Sequence, residues 1–115
     1  MDVLPRFDLN GQVALVTGAA RGLGRAISLA LAAAGADVAL GLRDINTAGG
    51  VPAEIRAMGR RVLPLQMDMT RLDQISCAID HVVRDFGRLD ILVNNSGVAP
   101  GYRAEDVPEA DFDFT

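Results

Sequence analysis

Short apolar runs alternate with amphipathic segments along most of this chain, and no other feature of the sequence constrains the fold as strongly. Four runs are apolar enough to be strands that are buried on both faces. They span residues 12–17, 37–42, 61–67 and 89–93. Strands that alternate with helices pair through right-handed crossovers into a parallel sheet with helices on both faces. The sequence therefore predicts an α/β fold built on a parallel sheet.

Three segments between these runs have the period of a helix. They span residues 22–34, 51–58 and 72–86. Each is followed by a glycine, which suits a helix C-terminus. Ahead of the third helix we expect Thr70 and Asp73 to form a capping-box-like pair, and Pro108 should open a further helix. The apolar face of the third helix should consist of Leu72, Ile75, Ile79, Val82, Val83 and Phe86.

Charge and residue counts exclude several classes of function. The net charge of −4 argues against nucleic acid or an anionic membrane as partner, and no apolar run is long enough to span a membrane. The N-terminus lacks a signal-peptide pattern, so we expect a cytoplasmic protein. With one cysteine and one histidine we predict no metal site. Cys77 should be a small packing residue and His81 a partly exposed surface residue.

The 11 basic residues are all arginine, because the chain contains no lysine. Every mechanism that needs a lysine within these 115 residues is therefore excluded, including a tyrosine–lysine catalytic pair.

A glycine-rich turn, Thr17-Gly18-Ala19-Ala20-Arg21-Gly22-Leu23-Gly24, joins the first strand to the first helix. Parallel sheets bind ligands at the carboxyl ends of their strands. Gly18 permits a sharp exit from the strand, and Gly24 permits close packing of the helix. Gly22 would let the backbone approach a pyrophosphate, whose charge suits a helix N-terminus. A glycine-rich turn without any ligand is the alternative.

Together with Asn94-Asn95-Ser96-Gly97, this turn resembles the short-chain dehydrogenase/reductase family. Each motif ends a predicted strand, and the resemblance extends from about residue 7 to residue 115. It implies a doubly wound, Rossmann-type sheet that binds NAD or NADP. This chain would be truncated to about four strands of that sheet, in the order 3-2-1-4. Residues 1–115 are thus expected to form the N-terminal, NAD(P)-binding part of a single-domain enzyme.

The end of the second strand favours NADP. Dinucleotide folds that prefer NAD place an acid there, whereas this chain has Leu42 followed by Arg43. Arg43 and Arg21 could flank a 2′-phosphate with charge-assisted hydrogen bonds. NAD is the alternative cofactor, because a shift of one residue would bring the acid Asp44 near the ribose. Arg43 could instead be a solvated loop arginine that pairs with Asp44. Members of the family that use NAD also carry an arginine at the place of Arg21.

The resemblance implies further contacts with the cofactor. Asp68 would bind the adenine amino group and the Met69 backbone the ring, although Asp68 could instead help to cap the next helix. Asn94 would stabilise the central sheet. The expected cofactor-binding set is completed by Leu23, Asn95, Ser96 and Gly97.

The implied chemistry is hydride transfer between a nicotinamide and a small alcohol or carbonyl substrate. In the family a tyrosine acts as acid and base, with a lysine four residues later. The single tyrosine here is Tyr102, and Asp106 stands four residues after it, so we assign no catalytic residue.

Two functions therefore remain open. One is the cofactor-binding half of an NADP-dependent oxidoreductase, which we expect to be a homo-oligomer (dimer or tetramer). The other is a non-catalytic dinucleotide-binding fragment or a decayed family member. An unrelated doubly wound domain fits poorly. A phospho-receiver would need paired acids after the first strand, and a methyltransferase would need an acid in place of Leu42.

Overall fold

The computed structural model describes residues 7–96. Its four strands are parallel and lie in the order β3-β2-β1-β4, as predicted. They are β1 (Val13–Thr17), β2 (Asp37–Leu42), β3 (Val62–Gln66) and β4 (Ile91–Val93). The helices are α1 (Gly22–Ala33), α2 (Val51–Ala57) and α3 (Leu72–Phe86), with a short 3-10 turn at Ile45–Thr47. The predicted helix at Pro108 lies outside the described residues.

The two central strands have hydrophobic side chains on both faces, so a separate core forms on each side of the sheet. Val16 and Leu40 belong to the core that is packed against α1 and α2. Leu15 and Ala39 belong to the other core, which is covered by α3. Successive side chains of a strand point to opposite faces, so a fully apolar strand supplies both cores. This confirms the predicted doubly wound sheet with helices on both faces.

The predicted apolar face of α3 is wrong at both of its flanks. Leu72 is 83% exposed and Val83 is 47% exposed, whereas Val82 is fully buried. On a helical projection of about 100° per residue, Leu72 and Val83 lie about 80° and 100° from Val82. Cys77 lies still further round, and it is exposed rather than a packing residue as predicted. The buried stripe is therefore narrower than the sequence pattern indicated.

The predicted Thr70–Asp73 capping box does not form. The N-cap of α3 is Arg71, and no side chain caps the helix. Thr70 Oγ1 donates instead to Asp68 Oδ1 at 2.8 Å, while Asp73 pairs with Arg71 at 3.2 Å. A hydrogen bond to a carboxylate is stronger than one between neutral groups, so Asp68 draws the hydroxyl away from the helix.

His81 was predicted to be a partly exposed surface residue. His81 is half-buried, and its Nε2 lies 3.0 Å from Asp85 Oδ2. Between residues 7 and 96, no helix combines the length and apolarity needed to cross a membrane. Over the same range, no cluster of three or more His, Cys, Asp or Glu side chains could hold a metal ion.

Candidate functional site

The carboxyl ends of the four strands meet at one edge of the sheet, and the predicted cofactor-binding residues lie in the loops that follow them. Ala19 N donates to Gly41 O at 3.4 Å, so the first glycine-rich turn lies against the end of β2. On its other side, Asn95 Nδ2 donates to Gly18 O at 3.2 Å. The structure thus brings the two sequence motifs together. Gly97, which belongs to the same predicted set, lies outside the described residues.

Gly24 is required by the packing of α1 against the turn. A Cβ at this position would overlap Gly18 O and would lie 2.6 Å from Asn95 Nδ2. Both are far closer than real Cβ contacts allow, and one of them is backbone. The close approach of helix and turn that the sequence predicted for Gly24 is therefore present.

Gly22 is different, because its surroundings are open. Its φ is +57°, a conformation that favours glycine, yet a Cβ there would meet no atom of residues 7–96 within 4 Å. The N-cap of α1 is Arg21, which makes no side-chain cap hydrogen bond, and the first turn contains no acid. The first N–H groups of a helix without a side-chain cap can donate to an anion, and the helix dipole favours that interaction.

Thr17 connects the two motifs, and the sequence analysis did not include it in the site. The residue is 1% exposed, and its Oγ1 accepts hydrogen bonds from Asn95 N at 2.9 Å and Ser96 N at 3.0 Å. The same hydroxyl lies 3.4 Å from the carbonyl oxygen of Val93, to which it donates. A hydroxyl at the end of an otherwise apolar strand was the signal that could have identified it.

The end of β2 presents arginine and not a carboxylate. Leu42 is 1% exposed and packs in the core beneath α1 and α2. Arg43 is exposed and makes no ion pair with any residue between 7 and 96. Asp44 Oδ1 accepts from Asn46 N at 3.0 Å, which places the carboxylate at the start of the 3-10 turn. The alternative in which Arg43 pairs with Asp44 is therefore not observed.

Arg21 is likewise exposed and has no ion-pair partner in the described part of the chain. Two guanidinium groups that lack carboxylate partners thus belong to adjacent loops of the same edge.

Asp68 is held ionised after β3. The backbone N–H and the hydroxyl of Thr70 hold the pKa of Asp68 below its ordinary value, and the charges of Arg43 and Arg71 act in the same direction. Both hydrogen bonds reach Oδ1, at 3.0 and 2.8 Å. Asp68 thus closes its own loop and does not cap α3. The neighbouring Met69 is 39% exposed.

Two glutamines, also absent from the sequence-based site, hold the loops after β2 and β3 together. Gln66 Nε2 donates to Arg43 O at 2.6 Å, and its Oε1 accepts from Ile45 N at 2.9 Å. Gln74 Oε1 accepts from Asp68 N at 2.9 Å and from Gln66 Nε2 at 3.2 Å. This network positions the backbone of Arg43 and Asp68. No local motif reveals it, because its members come from separate elements.

Comparison with known proteins identifies relatives of this arrangement. The short chain dehydrogenase family model matches residues 12–115. The chain is 39% identical over 111 residues to the 2-dehydro-3-deoxy-D-gluconate 5-dehydrogenase of Escherichia coli. That match covers 96% of this chain and 43% of the relative, so the chain spans about two fifths of the length of that curated relative.

Solved structures give the same result. A short chain dehydrogenase from Burkholderia cenocepacia, in complex with NADP, is 44% identical with a TM-score of 0.79. The match covers 93% of this chain and 44% of that one. A short chain dehydrogenase from Mycobacterium paratuberculosis, bound to NAD, is 32% identical with a TM-score of 0.81. The match covers 93% of this chain and 44% of that protein.

Proposed function

This chain belongs to the short-chain dehydrogenase/reductase family, whose members are oxidoreductases, and from that premise we propose that it forms the NADP-binding part of such an enzyme. The whole protein would transfer a hydride between the nicotinamide and a small alcohol or carbonyl compound. One observation carries the proposal: α1 begins at Gly22 without a side-chain cap, and two arginines that have no ion-pair partner within residues 7–96 lie at this edge, Arg21 at the N-cap and Arg43 in the loop after β2.

The residues present suit a dinucleotide. The N–H groups at Gly22, Leu23 and Gly24 can donate to the pyrophosphate, whose charge is favoured at a helix N-terminus. Gly18 lets the turn leave β1 close to Ser96, since a Cβ at Gly18 would come within 3.3 Å of Ser96 Cα. When bound, the nicotinamide supplies or accepts the hydride.

The adenosine half would lie across the other loops. In this proposal Asp68, ionised, accepts from the adenine amino group, and the Met69 backbone binds the ring. Asn95 and Ser96 face the ribose. Gly97 belongs to the same proposed group of cofactor-binding residues.

NADP is preferred over NAD because of this chain's own residues. Relatives bind either nucleotide, so family membership does not decide the question. A 2′-phosphate needs cationic donors, and Arg21 and Arg43 are exposed without carboxylate partners in the described range. An NAD-preferring site needs an acid at the end of β2, where Leu42 is buried and apolar.

Catalysis would depend on residues that this sequence does not contain. The tyrosine–lysine pair of the family is not encoded in these 115 residues, which contain no lysine. In this proposal the pair belongs to the rest of the enzyme. Membership of residues 1–115 in one larger domain, homo-oligomeric assembly and a cytoplasmic location remain predictions from the sequence.

The proposal is tested by the affinity of the purified protein for NADPH and NADH, measured by calorimetry. NADPH should bind more tightly, and Arg43→Gln should weaken NADPH binding about tenfold, as expected for one charge-assisted hydrogen bond. NADH affinity should not change, because NADH lacks the 2′-phosphate. Leu42 is left intact, since replacing a core residue would disturb packing.

Arg84→Gln provides the matched control, because Arg84 is an exposed arginine near the end of α3, far from this edge. Equal or tighter binding of NADH by the unmodified protein would overturn the NADP assignment. NADPH binding without turnover of any ketone by the whole protein would favour the non-catalytic alternative.

A further inference from the structure

An arginine-lined cleft lies at the opposite edge of the sheet, where β3 begins and where α2 and α3 end. It is a shallow depression, wide open to solvent, with about 740 Å³ of accessible space above it. Four arginines line it: Arg56, Arg60, Arg61 and Arg84. The residues of β3 separate this edge from the nucleotide edge by about 13 Å, at roughly 3.3 Å per residue. The cleft is therefore distinct from the site described above.

The cleft is strongly cationic in a protein that is acidic as a whole. The net charge of the chain is −4, yet Asp85 is the single carboxylate among the lining residues of the described chain. That carboxylate is shared, because Asp85 Oδ1 lies 3.6 Å from Arg84 Nε and Oδ2 lies 3.0 Å from His81 Nε2. Arg56 and Arg60 have no ion-pair partner within residues 7–96. The lining thus carries uncompensated positive charge.

Helix C-termini favour nearby cations, and this alone could account for arginines at the ends of α2 and α3. It does not account for Arg60. The Nε atom of Arg60 is buried and has no hydrogen-bond partner in the described part of the molecule. Arginine stays charged in proteins, and buried donors of charged groups are normally satisfied. The acceptor for this donor is therefore not among residues 7–96.

Arg61 is already held in position for such a ligand. Its backbone N–H donates to Asp37 Oδ1 at 2.8 Å, and its Nε donates to Asp37 Oδ2 at 2.9 Å. Its guanidinium carbon also lies 4.6 Å from the centre of the Phe86 ring. A side chain that is fixed in this way loses little conformational freedom on binding.

We propose that this cleft is a second ligand site, which binds a small polyanion through Arg56, Arg60, Arg61 and Arg84. The ligand is compact, carries at least two negative charges on phosphoryl or carboxylate oxygens, and supplies the acceptor for Arg60 Nε. A water could accept one hydrogen bond there but could not balance the charges of Arg56 and Arg60, because Arg61 and Arg84 already have the carboxylate partners Asp37 and Asp85. The site does not depend on the nucleotide, since the two lie at opposite ends of the strands.

The test is a titration of the purified protein with inorganic pyrophosphate at low ionic strength. The side-chain Nε–Hε NMR signals of Arg60 and Arg61 should shift together and give a single dissociation constant. Arg60→Gln should weaken this binding at least tenfold. Arg84→Gln, a change at an exposed side chain of α3, should weaken it about threefold. Thermal melting of each variant shows whether it is folded, and Arg84→Gln keeps the test valid if Arg60→Gln is not.

Arg43→Gln is the matched control, because it removes an arginine at the nucleotide edge and should leave the Arg60 titration unchanged. Citrate, at equal ionic strength, distinguishes carboxylate from phosphoryl recognition, and tight binding of either one supports the proposal. An Arg60 signal that does not move at millimolar pyrophosphate would overturn it. So would an equal response to sodium chloride, or a dissociation constant that neither variant changes. NADPH affinity should be unaltered in Arg60→Gln, so failure here leaves the proposed function intact.

Discussion

The two edges of the sheet are held together by different chemistry. At the amino edge, carboxylates bind backbone amides: Asp90 Oδ2 accepts from Val13 N at 2.9 Å, and Asp37 Oδ1 accepts from Arg61 N at 2.8 Å. Each carboxylate also pairs with an arginine, Asp90 with Arg88 at 2.7 Å and Asp37 with Arg61 at 2.9 Å. The strands of this edge are therefore tied by charged side chains.

At the carboxyl edge, neutral side chains perform the same task. The Thr17 hydroxyl holds the turn after β4, and Gln66 and Gln74 hold the loops after β2 and β3. Because amides and a hydroxyl tie these loops, the charges of Arg21 and Arg43 are not used in holding the fold. The difference shows how an edge can be ordered while its arginines stay without an ion-pair partner in the described residues.

The largest loss of stability should come from adding a side chain at Gly24, where α1 packs closely against the turn at the carboxyl edge. Gly24→Ala puts a methyl group against Gly18 O and Asn95, which we expect to cost about 3 kcal/mol of unfolding free energy. Nucleotide binding should be lost with it, because the turn and α1 can no longer pack. Urea denaturation and NADPH titration measure the two effects.

Gly22→Ala is the control for that change, since a Cβ there meets nothing within 4 Å. Only the positive φ of Gly22 resists the substitution, at a cost of about 1 kcal/mol. Equal losses of unfolding free energy in Gly24→Ala and Gly22→Ala would show that the close contact is not what distinguishes Gly24.

A smaller loss of stability is expected when the hydroxyl of Thr17, which joins the two motifs, is removed. Thr17→Val keeps the shape but leaves the Asn95 and Ser96 amides without their acceptor, at a cost of about 2 kcal/mol. Thr17→Ser retains the hydroxyl and should recover most of that stability. Hydrogen exchange at the two amides is the direct measurement, and unchanged protection in Thr17→Val would contradict the role given to this residue.

Among these substitutions, the smallest loss of stability should come from Asp90→Asn at the amino edge. It should also be the one whose loss depends on pH. The Arg88 side chain, followed by the Val13 N–H, holds the pKa of Asp90 below its ordinary value. A carboxyl with a lowered folded-state pKa stabilises the fold above the unfolded value of about 3.9, and this contribution is lost as the pH falls through the folded pKa. Asp90→Asn should therefore be less stable than the unmodified protein at neutral pH.

The difference in unfolding free energy between the unmodified protein and Asp90→Asn should vanish below about pH 4, because Asp90 becomes protonated in the unmodified protein. Urea denaturation at several pH values measures this. The gap for Thr17→Val should stay constant over the same range, because no charge is involved. A constant gap for Asp90→Asn would remove the proposed difference between the edges.

Some parts of this molecule follow from neighbours in the sequence. The apolar runs of β1 and β2 predict central strands, and Gly35 and Gly87 mark where α1 and α3 end. The glycine-rich turn predicts a strand-to-helix connection, and the family resemblance gave the strand order that the sheet confirms. These features depend on local periodicity and on the backbone freedom of a few residues, which a chain carries before it folds.

Other parts could not be predicted in this way. The outward position of Leu72 and Val83 depends on the rotation at which α3 packs against the sheet, which no periodic pattern specifies to within one residue. Thr70 was expected to cap α3, but its hydroxyl donates to Asp68 instead. The path of the loop sets the position of Asp68. Small differences in packing angle or loop path decide such positions.

The sequence by itself therefore determined the order of elements, the place of the nucleotide-binding turn and the absence of a lysine. Only the tertiary structure decided that Thr17 joins the two motifs, that Leu42 is buried beneath α1 and α2, and that Arg60 lies beside three other arginines at the opposite edge. Those arrangements unite side chains from distant elements, such as Thr17 and Asn95. Their distances are set by how helices pack on the sheet, and nothing in the neighbouring sequence encodes them.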